Sequence, residues 1–221
     1  MIGSTRYIDD LIDELAHVTF TTNDVFNPYA PNDHNNAIRC HNLKLYLTEM
    51  VKRKPKYMLV MEAPGYRGCR LTGVPVTSRK VLHEGIPELK LFSLGRGYKK
   101  TDDTGFENVY GEQSATIVWE AMTALKTVPL IWNTFPFHPR KGDDARSNRT
   151  PRAAEKSLGG RFLHQVVDSF KPEVIIAVGN IANDTLMRLG VNCIKVRHPA
   201  QGGKNDFVTG VTKIMTPHLP Q

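Results

Sequence analysis

Three side chains able to do chemistry follow short apolar runs at distant points of the chain. Glu62 comes directly after Tyr57-Met58-Leu59-Val60-Met61 and opens the small-residue loop Ala63-Pro64-Gly65. Asn133 closes Pro129-Leu130-Ile131-Trp132 and precedes Thr134-Phe135-Pro136-Phe137-His138-Pro139. His198 stands in Val196-Arg197-His198-Pro199-Ala200-Gln201-Gly202-Gly203-Lys204. A carboxylate at a strand end can hold or activate a water molecule. The N–H groups of a loop of small residues can bind an anionic oxygen. A carboxamide presents a donor and an acceptor together, which suits the edge of a nucleobase. An imidazole fixed by a following proline can donate a hydrogen bond to developing negative charge.

Each residue also has an ordinary reading. Glu62 could be a solvated turn carboxylate paired with Arg67 or Arg70. Asn133 could end its strand in an Asx turn, and His198 could be satisfied within a turn. Their shared location sets them apart, because all three stand at the carboxyl ends of expected strands. In open α/β sheets that edge is where ligands bind. His138 is a weaker candidate, with a structural or phosphate-facing role. His17, His34, His41, His83, His164 and His218 have no comparable setting.

The elements that must position these groups are legible as alternation. Ser4 can cap a first helix with apolar residues at Ile8, Leu11, Ile12 and Leu15. The Asn-, Asp- and Pro-rich stretch 23–36 reads as a loop. A second helix is expected over 36–51, with Ile38, Leu43, Leu45, Leu47 and Met50 on its apolar face and Lys52-Arg53-Lys54 closing it. From residue 57 strand, loop and helix repeat. Strands are expected near 57–62, 129–133, 173–178 and 193–196, and helices near 112–126, 151–170, 180–189 and 203–215. Pro87, Gly95, Gly97 and Gly105 mark an irregular excursion between the first two strands. The expected fold class is α/β, with helices on both faces of a mostly parallel sheet. One domain over 1–221 is expected, a helical part at 1–55 preceding an α/β core at 56–216.

Composition narrows the partners. Of 221 residues, 40% are hydrophobic and 23% charged, as in ordinary globular proteins. No apolar run approaches a membrane span and the start lacks a signal-like segment, so a cytoplasmic protein without a membrane partner is expected. Cys40, Cys69 and Cys193 are scattered and form no CxxC pair or zinc spacing. They read as free thiols, and no metal site is expected. Net charge is +7. Residues 51–100 carry twelve Lys and Arg against three acids, whereas residues 1–50 carry three against seven. Positive charge clustered around the Glu62 loop points to a polyanionic partner, namely nucleic acid. The G-x-S-x-G elbow and the G-x-x-x-x-G-K-[ST] phosphate loop are both absent.

In order, MEAPGYRGCRLTGVPV at 61–76, IWNTFPFHP at 131–139 and RHPAQGG at 197–203 resemble the uracil-DNA glycosylase superfamily. That family carries a strand-end motif of the form G-E-[GA]-P-G or G-x-[DN]-P with a downstream T-G-x-P-F, an Asn-ended strand and an H-P-S-P-type closing motif. The resemblance spans most of 57–215. It implies a three-layer α/β/α fold around a four-stranded parallel sheet, and hydrolysis of the N-glycosidic bond of uracil or a related deaminated base in DNA. It also implies base-excision repair by a monomer without cofactor, with the damaged nucleotide flipped into a pocket. Carried over by position, Glu62 positions or activates the hydrolytic water, Asn133 reads the base and His198 stabilises charge on its oxygen. Ala63, Pro64, Gly65, Tyr66 and Val76 would complete the base pocket. Arg197, Gln201, Gly202, Gly203 and Lys204 would press on the DNA. The chain departs from the family pattern at three places. Ala63 replaces an aspartate or asparagine, Val76 replaces a base-stacking phenylalanine, and Ala200-Gln201 replaces the second Ser-Pro. The alternative is a member of the same fold that binds DNA or a nucleotide without cleaving it.

Overall fold

This computed structural model describes residues 3–31 and 33–216, without the side chains of residues 3–5. The cap role of Ser4 rests on one of those side chains, and the dismissal of His218 lies outside the described residues. In chain order the elements are α1 (Gly3–Ala16), β1 (Val25–Phe26), α2 (His34–Arg53), β2 (Tyr57–Met61), α3 (Cys69–Thr72), α4 (Arg79–Glu84) and α5 (Gln113–Ala124). They continue as β3 (Leu130–Asn133), β4 (His138–Pro139), α6 (Ala153–Phe170), β5 (Val174–Val178), α7 (Asn180–Arg188), β6 (Ile194–Val196) and α8 (Lys204–Met215).

The four-stranded sheet has the order β3-β2-β5-β6, and every pair in it is parallel. All four residues of β3 are buried, as are four of the five in β2 and in β5. That continuous burial is what a sheet covered on both faces by helices requires. The chain leaves β2 towards β3 on one side and leaves β5 towards β6 on the other. A crevice therefore opens at the carboxyl ends of β2 and β5, the switch point of the sheet. Met61 is opposite Asn133 in the register, so the ends of β2 and β3 are level.

The expected strands and helices are all present, with ends displaced by one or two residues. Three regions differ in kind. The expected loop at 23–36 contains β1, which pairs antiparallel with β4, Phe26 opposite His138. Strands of two residues carry no alternation to read. The excursion between β2 and β3 contains α3 and α4. Helix α2 is longer than expected, because Asp33 accepts the Asn36 N–H at 2.8 Å and sets its start. Its buried face includes Asn36, Arg39 and Asn42 beside Leu43, Tyr46, Leu47 and Met50, while Ile38 and Leu45 lie at its margin. Polar residues hid that face from a reading based on hydrophobic spacing. Each has a specific partner: Asn42, for example, donates to the carbonyls of Thr72 and Lys99 at 3.1 and 3.0 Å. Among the described residues no helix is long and apolar enough to cross a membrane.

Candidate active site

The strand ends are tied together beyond the ladder itself. Thr134 N–H donates to Met61 O at 2.8 Å and Phe135 N–H to Glu62 O at 3.1 Å. The Thr134 hydroxyl also donates to Glu62 O, at 2.7 Å. These bonds carry the β2–β3 register one residue further and fix Glu62 beside Asn133. Helix α6 closes on this corner at Gly159, where an added Cβ would stand 2.1 Å from Thr134 O. No larger residue fits there, and the close approach holds the chain after Asn133 in place.

The loop after Glu62 is pinned from two sides. His138 is fully buried, and its Nδ1–H donates to Pro64 O at 2.8 Å. Burial pushes its pKa down to about 4, so the ring is neutral, and its role is structural. Asn148 accepts the Tyr66 N–H at 3.0 Å from the other side. Arg70, one of the two expected partners of Glu62, instead faces Asp103 in the interior.

A cavity of about 450 Å³ opens at the switch point. Glu62, Ala63, Pro64 and Gly65 line it from the loop after β2, Asn133 from the end of β3, and His198 and Ala200 from the segment after β6. Val76 and Thr77 add one wall, Glu112, Gln113 and Ser114 at the start of α5 another, and Asn148, Arg149 and Thr150 a third. Glu62 is half-buried, and that burial raises its pKa, against the opposing pull of the Thr150 hydroxyl and Lys156. Asn133 is 2% exposed, and among the described residues no protein group hydrogen-bonds its carboxamide. Its donor and acceptor are therefore available to a ligand. His198 Nδ1 accepts the Ala200 N–H at 3.1 Å. The neutral ring must then carry its proton on Nε2. Burial, followed by Arg197, lowers the pKa of His198 and favours that neutral donor form. Gly179, at φ +89°, caps α7 against this imidazole, and a Cβ there would lie 3.2 Å from the His198 Cβ.

Glu62, Ala63, Pro64, Gly65, Val76, Asn133 and His198 are thus brought together around one space. Tyr66, Arg197, Gln201, Gly202, Gly203 and Lys204 are not among its lining residues. The Tyr66 hydroxyl accepts from Arg67 Nε at 2.8 Å, and that guanidinium lies over its ring. Arg197, Gln201 and Gly202 are exposed, Gly203 is the buried N-cap of α8, and Lys204 pairs with Glu120 at 3.0 Å. Sequence reading missed Thr77, Glu112, Gln113, Ser114, Asn148, Arg149 and Thr150. Only Glu112 had a local signal, as the acid that opens an expected helix. Its carboxylate accepts the N–H groups of Ser114 and Ala115 at 2.9 and 2.6 Å. Among the described residues no group of three or more His, Cys, Asp or Glu could hold a metal ion. A carboxylate, a free carboxamide and a neutral imidazole N–H around one cavity suit hydrolysis of a bond whose leaving group becomes anionic.

A family model described as the uracil DNA glycosylase superfamily matches residues 48–215. No curated protein matches the chain significantly. Among solved structures, the chain is similar to wild-type SMUG2 of Pedobacter heparinus, at 15% identity and a TM-score of 0.61. That likeness covers 94% of this chain and 96% of the other. At such identity it speaks for the fold.

Proposed function

The chain belongs to the uracil DNA glycosylase superfamily, and on that premise we propose that it is a monofunctional DNA glycosylase acting on uracil or a related deaminated base. One observation carries the reading: Glu62, Asn133 and His198, far apart in sequence, line a single cavity at the switch point of the sheet. The base is extruded from the stack into this cavity. Asn133 offers its donor and acceptor to the Watson–Crick edge of the base, where a lactam presents the complementary pair. Glu62, as the carboxylate, holds the attacking water at the sugar and takes its proton as the C–O bond forms. As the N-glycosidic bond breaks, its electron pair moves into the base, and His198 Nε2–H donates to the oxygen that becomes negative. One preorganised donor of this kind contributes roughly 3–4 kcal/mol. The proton stays on His198, so the base leaves as an anion and the reaction needs no cofactor. Ala63, Pro64, Gly65 and Val76 give the pocket its small, apolar sides, with Tyr66 at its margin. Arg197, Gln201, Gly202, Gly203 and Lys204 contact the DNA beside the lesion. The enzyme works as a monomer in the cytoplasm.

The test is incubation of the purified protein with oligonucleotides carrying uracil, hypoxanthine or xanthine, as duplexes and single strands. Abasic sites are expected with at least one base. Intact DNA throughout, at high enzyme concentration, refutes the proposal. Ala63 and Val76 favour a second reading, because they stand where the family carries an aspartate or asparagine and a base-stacking phenylalanine. In that reading the protein binds DNA without cleaving it, and salt-sensitive binding without product would distinguish it.

A further inference from the structure

Val76, on the wall of the cavity, has φ +50°. A β-branched residue in the left-handed region is a true conformational outlier, and such strain persists where surrounding structure imposes it. Two contacts impose it here. The next residue is locked, since the Thr77 hydroxyl donates to Val74 O at 2.7 Å and lies 2.6 Å from that of Thr72. On the other side, Trp119 Nε1–H donates to the carbonyl of Val76 itself, at 2.8 Å.

Trp119 lies outside the cavity, on α5, and is 3% exposed. Its ring packs edge-on against Phe92, with centroids 5.3 Å apart. Phe92 stacks in turn on Tyr46, whose hydroxyl accepts the Ile131 N–H of β3 at 2.7 Å. A continuous chain of contacts therefore runs from the strand that ends in Asn133 to the opposite wall at Val76. We propose that Trp119 is a positioning residue: its indole N–H holds Val76 in the left-handed conformation and so fixes the width of the base pocket relative to Asn133. The strain has a consequence for catalysis, resting on the glycosylase reading above. Were the brace released, Val76 would relax towards its preferred backbone and the wall would move. A shift of about 1 Å in the seating of a base reduces rate on the order of 10²-fold.

The test uses Trp119→Phe, which keeps an aromatic ring and removes the donor, together with Val76→Ala, Val76→Gly and the Trp119→Phe/Val76→Gly double variant. Glycine adopts the left-handed region freely and needs no brace, whereas alanine retains the strain. Val76→Gly is therefore expected to unfold at higher urea than Val76→Ala, the reverse of the order at an unstrained site. Trp119→Phe is expected to lower single-turnover excision about tenfold when Val76 is present, with unchanged affinity for undamaged DNA. In the Val76→Gly background the loss should be no more than about twofold, as for coupled neighbours. Equal losses in the two backgrounds, or a Val76→Ala protein as stable as Val76→Gly, overturn the proposal. If the wild-type protein releases no base, the glycosylase reading fails separately. The brace is then judged by the same coupling in urea unfolding, and its absence there overturns it.

Discussion

Asp103 faces three buried guanidinium groups, and neutralising it is expected to be the most damaging isosteric change in the molecule. Its side chain is 10% exposed, against 1% for Arg39, 8% for Arg70 and 6% for Arg79. It bonds Arg39 directly, with Arg79 at 3.4 Å and Arg70 at 3.6 Å. At an effective dielectric of about 20, each of the two longer pairs attracts by roughly 5 kcal/mol. The arginines also repel one another, and burial together with Arg39 pulls the pKa of Arg70 down to about 10 despite Asp103. Part of the buried charge is met by aromatic faces, since Arg70 lies 4.1 Å from the ring of Phe106 and 4.7 Å from that of Phe26. In Asp103→Asn the amide keeps the shape and one acceptor, yet three cations remain without a counter-charge. Removing one partner of a buried ionic group destabilises by roughly 3–5 kcal/mol. For a chain of this size that lowers Tm by about 6–20 °C. Urea unfolding followed by circular dichroism measures it, with Asp9→Asn as control. Asp9 pairs with Lys44 where both are about half exposed, so its loss should stay below roughly 1 kcal/mol. An Asp103→Asn protein no less stable than Asp9→Asn would refute the reasoning.

Three further outcomes are expected. Glu62→Gln should lower single-turnover uracil excision by about 10²–10⁴-fold with the fold intact. The raised pKa of Glu62 places the acid limb of the wild-type rate profile above the ordinary carboxylate value, with activity lost as pH falls through it, and the variant should lack that limb. For stability the sign is opposite: the folded state binds its proton more tightly, so rising pH through that raised pKa destabilises, and Glu62→Gln should melt higher at neutral pH. Replacing His198 by Ala should cost about 10²–10³ in rate. Because its pKa is lowered, acidification to just below 6.5 should leave its neutral form, and hence its contribution, in place. His138 has a folded pKa of about 4 against 6.5 for the free side chain, so the unfolded chain takes up the proton first. Stability should be full above pH 6.5 and fall by about 3 kcal/mol as pH drops to 4. His138→Gln should remove that dependence in pH-resolved urea titrations, and an unchanged slope would refute it.

Much of the fold is local information. The apolar runs at 57–61, 130–133 and 174–178 are buried on both faces, and such strands announce themselves without any partner being known. Strand ends are where such a sheet binds ligands, so Glu62, Asn133 and His198 could be named from position alone. β1 and β4 could not be, because two residues carry no period and exist only through each other. The buried face of α2 was misjudged for a related reason, since Arg39 and Asn42 are buried by partners more than 25 residues away.

By itself the sequence determined the order of the four sheet strands and of the longer helices, the parallel sheet, and the placing of Glu62, Asn133 and His198 at strand ends, since these depend on hydrophobic runs and on residue types at their ends. Only the tertiary structure decided that Glu112 and Thr150 share that cavity, that Tyr66 and Lys204 do not line it, and that His198 presents Nε2–H. Those facts depend on contacts between segments far apart along the chain, such as Trp119 with Val76, and on how buried each group becomes once they form. Neither distance nor burial is written in any local stretch of residues.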